Sequence, residues 1–121
     1  MTDQQRATID FEALRRAQEQ RDLDTMLTFY ADDAEMLIVN RATPPSSPHT
    51  LRGKEKIAQH LGDVFGREMS HRIENEVLGE ERVAFNWACE YPDGVKVLSS
   101  HILDVRDGKI VRQVEVVAWD E

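Results

Sequence analysis

The chain has 121 residues, 40% of them hydrophobic, with 15 Lys and Arg against 23 Asp and Glu, a net charge of −8 with His neutral. That length fits one domain spanning 1–121 and able to bury most of its apolar surface. No run nears the roughly 20 apolar residues of a membrane span, and the acidic balance argues against nucleic acid, whose phosphates call for clustered Lys and Arg. The single cysteine, Cys89, has no internal disulfide partner, and no CxxC or Cys/His cluster of zinc spacing points to a metal. MTDQQRATID at the start lacks the basic-then-apolar profile of a signal peptide, so the expected compartment is the cytoplasm.

Helices come first. Ile9, Phe11, Ala13, Leu14 and Ala17 recur at helical spacing and predict a helix ending near Gln20. Asp22 then fits the N-cap of a second, short helix carrying Leu23, Met26, Leu27 and Tyr30 at i, i+3, i+4 and i+7. Ala31 to Ala34 closes that helix, and Glu35 to Val39 reads as a short strand. Residues 40–53 hold three prolines and a Ser-Ser pair and predict a long loop, either a functional cover or slack. A third helix opens after Gly53, with Ile57, Leu61, Val64 and Phe65 on one side, and runs to about Gly66.

From His71 the period becomes two. His71 to Gly79, Arg82 to Tyr91, Val95 to Val105 and Lys109 to Trp119 are predicted strands rich in Val, Ile, Phe and Trp. Pro92-Asp93-Gly94 and Asp107-Gly108 are turn sequences, so the last three strands should form an antiparallel meander. Helices gathered ahead of a sheet of hairpins define an α+β fold.

Alternation sorts the strand residues by face. A three-residue turn at Pro92-Asp93-Gly94 sets Phe85 against His101, Trp87 against Ser99 and Cys89 against Val97. A last hairpin pairing Val105 with Lys109 or Val111 sets His101 beside Gln113 or Glu115. A two-residue Asp107-Gly108 turn would instead put His101 and Glu115 on opposite faces. In the favoured register one face carries Phe85, Trp87, Cys89, Leu103, Val111 and Trp119, with a small polar set of Ser99, His101, Gln113 and Glu115 among them. Polar groups walled by aromatics suit a small-molecule pocket. The other face carries Leu98, Ile102, Ile110, Val114 and Val116, an apolar surface that predicts a homodimer formed sheet to sheet.

The stretches Arg21-Asp22-Leu23-Asp24, Phe29 to Ala34, Gly53 to Ile57 and Leu103 to Val111 resemble the nuclear transport factor 2-like superfamily and, within it, the SnoaL-like polyketide cyclase group. The resemblance covers nearly the whole chain. It implies a cystatin-like cone, with three N-terminal helices packed on a curved, mixed, mainly antiparallel sheet and the active site inside. In the cyclases an aspartate on the last strand, seven residues after the turn glycine, acts as acid/base with help from a histidine on the preceding strand. Glu115 and His101 match those positions, with a carboxylate reaching one methylene further. The related ketosteroid isomerases place their general-base aspartate at what is Ile38 here and their helix-1 tyrosine near Leu14. Steroid isomerisation by that mechanism is therefore not expected. The Asp-Arg-Asp set of the epoxide hydrolase branch has no counterpart on the inward face.

The chemistry expected from these residues is proton transfer on a small apolar carbonyl compound, with no cofactor. Abstraction of a proton next to a carbonyl needs a nearby base and a donor for the forming enolate. Glu115 is the candidate base and His101 the candidate donor or shuttle. An imidazolium beside Glu115 would oppose the rise in pKa that burial imposes. Gln113 and Ser99 would orient the pair or the ligand, and Phe85, Trp87, Tyr30 and Ile38 would line the ligand site. Plainer roles stand beside these: a satisfied His–Glu bridge, aromatic core packing, Tyr30 packed under the helices, Cys89 as a small buried hydrophobe, and His60 and His71 at the surface or a helix edge. On that view the chain is a non-catalytic ligand-binding or dimerisation module.

Overall fold

The computed structural model describes residues 9–120; the first eight residues and Glu121, and with them most of the N-terminal signal reading, lie outside the described residues. The helices are α1 (Phe11–Glu19), α2 (Leu23–Leu27) and α3 (Lys54–Phe65), and the strands β1 (Tyr30–Val39), β2 (His49–Arg52), β3 (Ser70–Leu78), β4 (Arg82–Glu90), β5 (Lys96–Arg106) and β6 (Lys109–Trp119). Asp10 caps α1 by accepting from the Ala13 amide at 3.1 Å, and Asp22 caps α2 by accepting from Thr25 at 3.3 Å; such a cap is worth about 1 kcal/mol. Phe11, Leu14 and Ala17 bury the stripe of α1, and Ile57, Leu61 and Phe65 that of α3. Among the described residues no helix is long and apolar enough to cross a membrane.

Two boundaries differ from the sequence reading. Helix α2 stops at Leu27, and Tyr30 to Ala34 already belong to β1. Tyr30 satisfies both periods, i+7 from Leu23 and even-numbered with the buried Ala34, Met36 and Ile38. Strand β6 decides between them, because the Ile110 amide donates to the Phe29 carbonyl at 2.7 Å. The long loop also shrinks, since His49–Arg52 pairs antiparallel with β1. Only Leu51 of that edge strand is buried, so too little alternation existed to reveal it. Gly53 follows at φ 91 and ψ 150, a conformation that glycine adopts without strain, and its amide donates to Ala34 at 2.8 Å before α3 begins.

The six strands form one sheet in the order β2-β1-β6-β5-β4-β3, with β1 parallel to β6 and every other pair antiparallel. It is the mixed, mainly antiparallel α+β architecture expected. The β4–β5 register is as read, with Phe85 opposite His101, Trp87 opposite Ser99 and Cys89 opposite Val97. The last hairpin reaches its register by another route. Asp107 (φ 53) and Gly108 (φ 76) make a two-residue turn between Arg106 and Lys109. That turn alone would set His101 opposite Val114. Val111 is an extra residue between the pairs Val105–Ile110 and Asp104–Arg112, and this bulge restores His101 opposite Glu115. The correction falls on two side chains: Ile110 is fully buried on the inner face, and Val111 is not the inward residue.

Candidate functional site

Alternation along β5 and β6 turns Ser99, His101, Gln113 and Glu115 inward, and all four are buried. His101 is 1% exposed, sandwiched between the Phe85 ring (centroids 5.0 Å apart, 12° between planes) and the edge of Trp87 (5.5 Å). Its Nδ1 lies 3.0 Å from Gln113 Nε2 and its Nε2 lies 2.7 Å from Ser99 Oγ. The Tyr30 hydroxyl donates to Gln113 Oε1 at 2.6 Å, and Gln113 Nε2 donates to Glu115 Oε1 at 3.2 Å. Five side chains from β1, β5 and β6 thus form one buried polar chain.

Burial sets the charges. It pushes the Glu115 carboxyl up from 4.5 to about 7, opposed by the hydrogen bond from Gln113. It pulls the His101 imidazole down from 6.5 to about 3, with His60 adding to the effect. At neutral pH the ring is therefore uncharged, and the 3.8 Å approach of His101 Nδ1 to Glu115 Oε1 is not an ion pair. The imidazolium expected to oppose the rise at Glu115 is absent. Tyr30, buried beside Glu115, is held far above the usual phenol range and keeps its proton.

Above this chain lies a cavity of about 410 Å³, near the end of the sheet where β1, β4 and β6 finish and β5 begins. Glu115, Ser99, Trp87 and Ile38 are in its wall. His101, Gln113, Tyr30 and Phe85 are not. They lie buried outside its lining, and His101 connects to it through Ser99 on one side and through Gln113 and Glu115 on the other. Val64, Met69, Val97 and Val117 make most of the wall apolar, and Glu115 is the one carboxylate among the described lining residues. The Trp87 Nε1–H is buried without a hydrogen-bond partner among the described residues. Among the described residues no three His, Cys, Asp or Glu side chains are placed to hold a metal ion.

The sequence reading missed several groups here. His60, expected at the surface, is half-buried in the cavity wall; its spacing from Ile57 and Val64 on α3 was the available signal. Asn40 and Arg67 also line the cavity. The Asn40 Oδ1 is engaged by the Ala42 and Thr43 amides and the Thr43 hydroxyl. His71 is likewise buried rather than superficial, stacked on Trp87 at 4.9 Å with Nδ1 3.2 Å from Cys89 Sγ. Burial raises the Cys89 thiol to about 12 and lowers His71 to about 4, so the two form a neutral hydrogen-bonded pair.

A six-stranded mixed sheet with helices on its inner face and a cavity between them is the nuclear transport factor 2-like architecture. The chain belongs to the SnoaL-like domain family, which it matches over residues 11–113. Among solved structures it is similar to a candidate ketosteroid isomerase from Kribbella flavida (TM-score 0.74, 15% identity, 98% of this chain and 79% of that one). It is similar also to an NTF2-like protein of unknown function from Mesorhizobium loti (TM-score 0.75, 17% identity, 89% and 87%). An epoxide hydrolase of the LEH-like type from M. tuberculosis superposes with a TM-score of 0.65 at 20% identity, covering 89% and 79%. No curated protein sequence matches the chain. At these identities the likeness is one of fold, in a family whose structural neighbours include isomerases and epoxide hydrolases.

Proposed function

We propose that the chain is a cofactor-free acid/base enzyme that moves a proton at a carbon next to the carbonyl of a small, mostly apolar compound, in the manner of a cyclase or isomerase. One observation carries this reading: Glu115, the one carboxylate among the described lining residues, stands in the wall of a largely apolar 410 Å³ cavity, where burial pushes its carboxyl up to about 7. A base poised near the working pH accepts a proton readily while about half of it stays ionised to meet the substrate. Glu115 takes the carbon-bound proton. The His101–Ser99 pair serves the oxygen on which negative charge develops. Trp87 and Ile38 supply flat and branched apolar surface beside the base, while Phe85, Tyr30 and Gln113 hold the pair from behind. Because Ile38 is alkyl, β1 offers no base at the position beside Glu115, and the base comes from β6 while the oxygen is served from β5.

The test is exchange of the acidic C–H of small cyclic ketones, steroid ketones and aromatic polyketides in D₂O, read by NMR after a thermal-shift screen selects compounds that bind. Glu115→Gln should slow exchange by about 10²-fold or more. Exchange at the wild-type rate in that variant overturns the assignment of the base. A compound that raises Tm but exchanges no proton leaves a ligand-binding module of the same fold.

The molecule is proposed to act as a homodimer in the cytoplasm. Leu98, Ile102 and Val116 are 52%, 47% and 53% exposed on the sheet face opposite the helices. Exposed apolar side chains grouped on one sheet are the kind of surface that a second copy covers.

A further inference from the structure

We infer that Ser99 is the group that donates a hydrogen bond to the substrate oxygen, and that Tyr30 and Gln113 are positioning residues that hold it in the donating sense only while Glu115 is ionised. The inference deepens the reading above and rests on it for the substrate, but its central step concerns the free protein. The argument follows the donors. Tyr30 O–H points at one end of the Gln113 amide, 2.6 Å away. The other end lies 3.2 Å from Glu115 Oε1 and 3.0 Å from His101 Nδ1. If that second end were the carbonyl oxygen, it would face an ionised carboxylate, two acceptors with no proton between them. With Glu115 ionised the NH₂ group must therefore be the end that faces it.

An amide nitrogen only donates, so His101 Nδ1 accepts and carries no proton. The neutral ring then holds its one proton on Nε2 and donates it to Ser99 Oγ at 2.7 Å. Among the described residues the Ser99 hydroxyl has no other hydrogen-bond partner, and it lines the cavity. Its own proton is free to meet an oxygen there. The chain of donors begins at the Tyr30 phenol and ends in the cavity.

Protonating Glu115 removes the reason for this orientation. Its O–H can then donate to the amide oxygen, which turns the NH₂ group toward the Tyr30 hydroxyl. His101 would donate from Nδ1 to that oxygen, and Nε2 would accept the Ser99 proton. The ring holds one proton in both states, on Nε2 in the first and on Nδ1 in the second. Base and oxygen donor are thus ready in the same protonation state. Among the described residues the other titratable or charged groups facing this set are Cys89 on β4, which stays a thiol, His60 on α3, which burial and its basic neighbours keep less readily charged, and Arg67 just after α3, in the same cavity wall.

The test needs no substrate. In protein labelled with ¹⁵N-histidine, long-range proton–nitrogen correlation reports which ring nitrogen of His101 is protonated, and it resolves the pattern of His60 separately. The expected result is the Nε2–H form at pH 8.5 and a shift to the Nδ1–H form at pH 5.5. Gln113→Met should uncouple the ring from pH, and Tyr30→Phe, which leaves the ionised Glu115 to orient the amide, should keep the Nε2–H form at pH 8.5 but move the switch to higher pH. An Nδ1–H ring at pH 8.5, or an unchanged ring across the range, overturns the inference; the wild-type series decides this whether or not the variants fold. For the donor itself, Ser99→Ala should lower ketone exchange by about 10²-fold and Ser99→Thr should restore most of it. If Glu115→Gln abolishes exchange and Ser99→Ala leaves it intact, the donor assignment falls while the base stands. If neither variant matters, the functional reading itself falls.

Discussion

Glu115 carries a stability cost that depends on pH, and its sign follows from burial. The folded-state pKa of about 7 stands above the ordinary 4.5, so between those values the folded chain holds a proton that the unfolded chain has released. The cost is absent below about pH 4.5 and grows to its full size as pH rises through 7. Its size is on the order of 3 kcal/mol. Glu115→Gln keeps the shape and removes the titration. Thermal melts should therefore show it more stable than the wild type at pH 8, by roughly 5 °C or more, and nearly equal at pH 4.5. Equal stability at pH 8 would mean the carboxylate is better solvated than its burial implies. The identity of this group was legible in the sequence, since Ser99, His101, Gln113 and Glu115 share one parity among aromatic residues. Its depth was not. Alternation says which face a side chain takes but not whether it reaches the cavity, which is why His101 lies behind Ser99 rather than in the wall.

Between elements, the β5–β6 hairpin shows what turn chemistry reveals and what it conceals. Asp107-Gly108 was readable as a tight turn, and taken alone it implies the wrong faces for half of β6. The extra residue at Val111 leaves no mark in composition, because Ile110 and Val111 are both apolar and either could be the inward one. The polar pairing of His101 with Glu115 was the better guide to register. Deleting Val111 should consequently be tolerated: Ile110 stays inward, Arg112 outward, and His101 stays opposite Glu115 in a regular ladder. The expected cost, from lost twist and a strained parallel contact with β1, is about 1–3 kcal/mol. One alanine inserted between Arg112 and Gln113 acts otherwise, because it sends Gln113, Glu115 and Val117 to the outer face and Val114 and Val116 inward. Circular dichroism melts check both. A cooperative transition for the deletion and none for the insertion is expected, and the reverse order would contradict the assigned bulge. The same ambiguity of period explains Tyr30, and the four-residue β2 was too short and too polar to declare itself.

At the scale of the molecule, the sheet has two faces with different fates, and the sequence told them apart only in part. The inner face closes over a cavity whose outer wall combines Asn40 after β1 with His60 and Arg67 in and just after α3, groups brought together by packing rather than by any local pattern. The outer face was legible, because Leu98, Ile102 and Val116 alternate with residues that must face inward. Beside them Asn75, Asn86 and Ser100 satisfy one another across three strands at 2.9 and 2.8 Å, so their polar groups can be covered without being orphaned. A two-fold axis through this face would bring each apolar cluster onto its copy, and a stable pairing needs about 800 Å² per partner. Ile102 sits in the middle of the patch, across from Ala84 on one side and Val114 on the other. In an isolated chain its side chain stands in water, so Ile102→Lys should change the stability of a monomer by only about 0.5 kcal/mol. In a dimer it would place two ammonium groups within the same dry contact. Sedimentation at micromolar concentration should give twice the chain mass for the wild type and the single-chain mass for Ile102→Lys, with matching far-ultraviolet dichroism. A wild type that sediments as one chain would mean that the apolar outer face is not covered by a second copy.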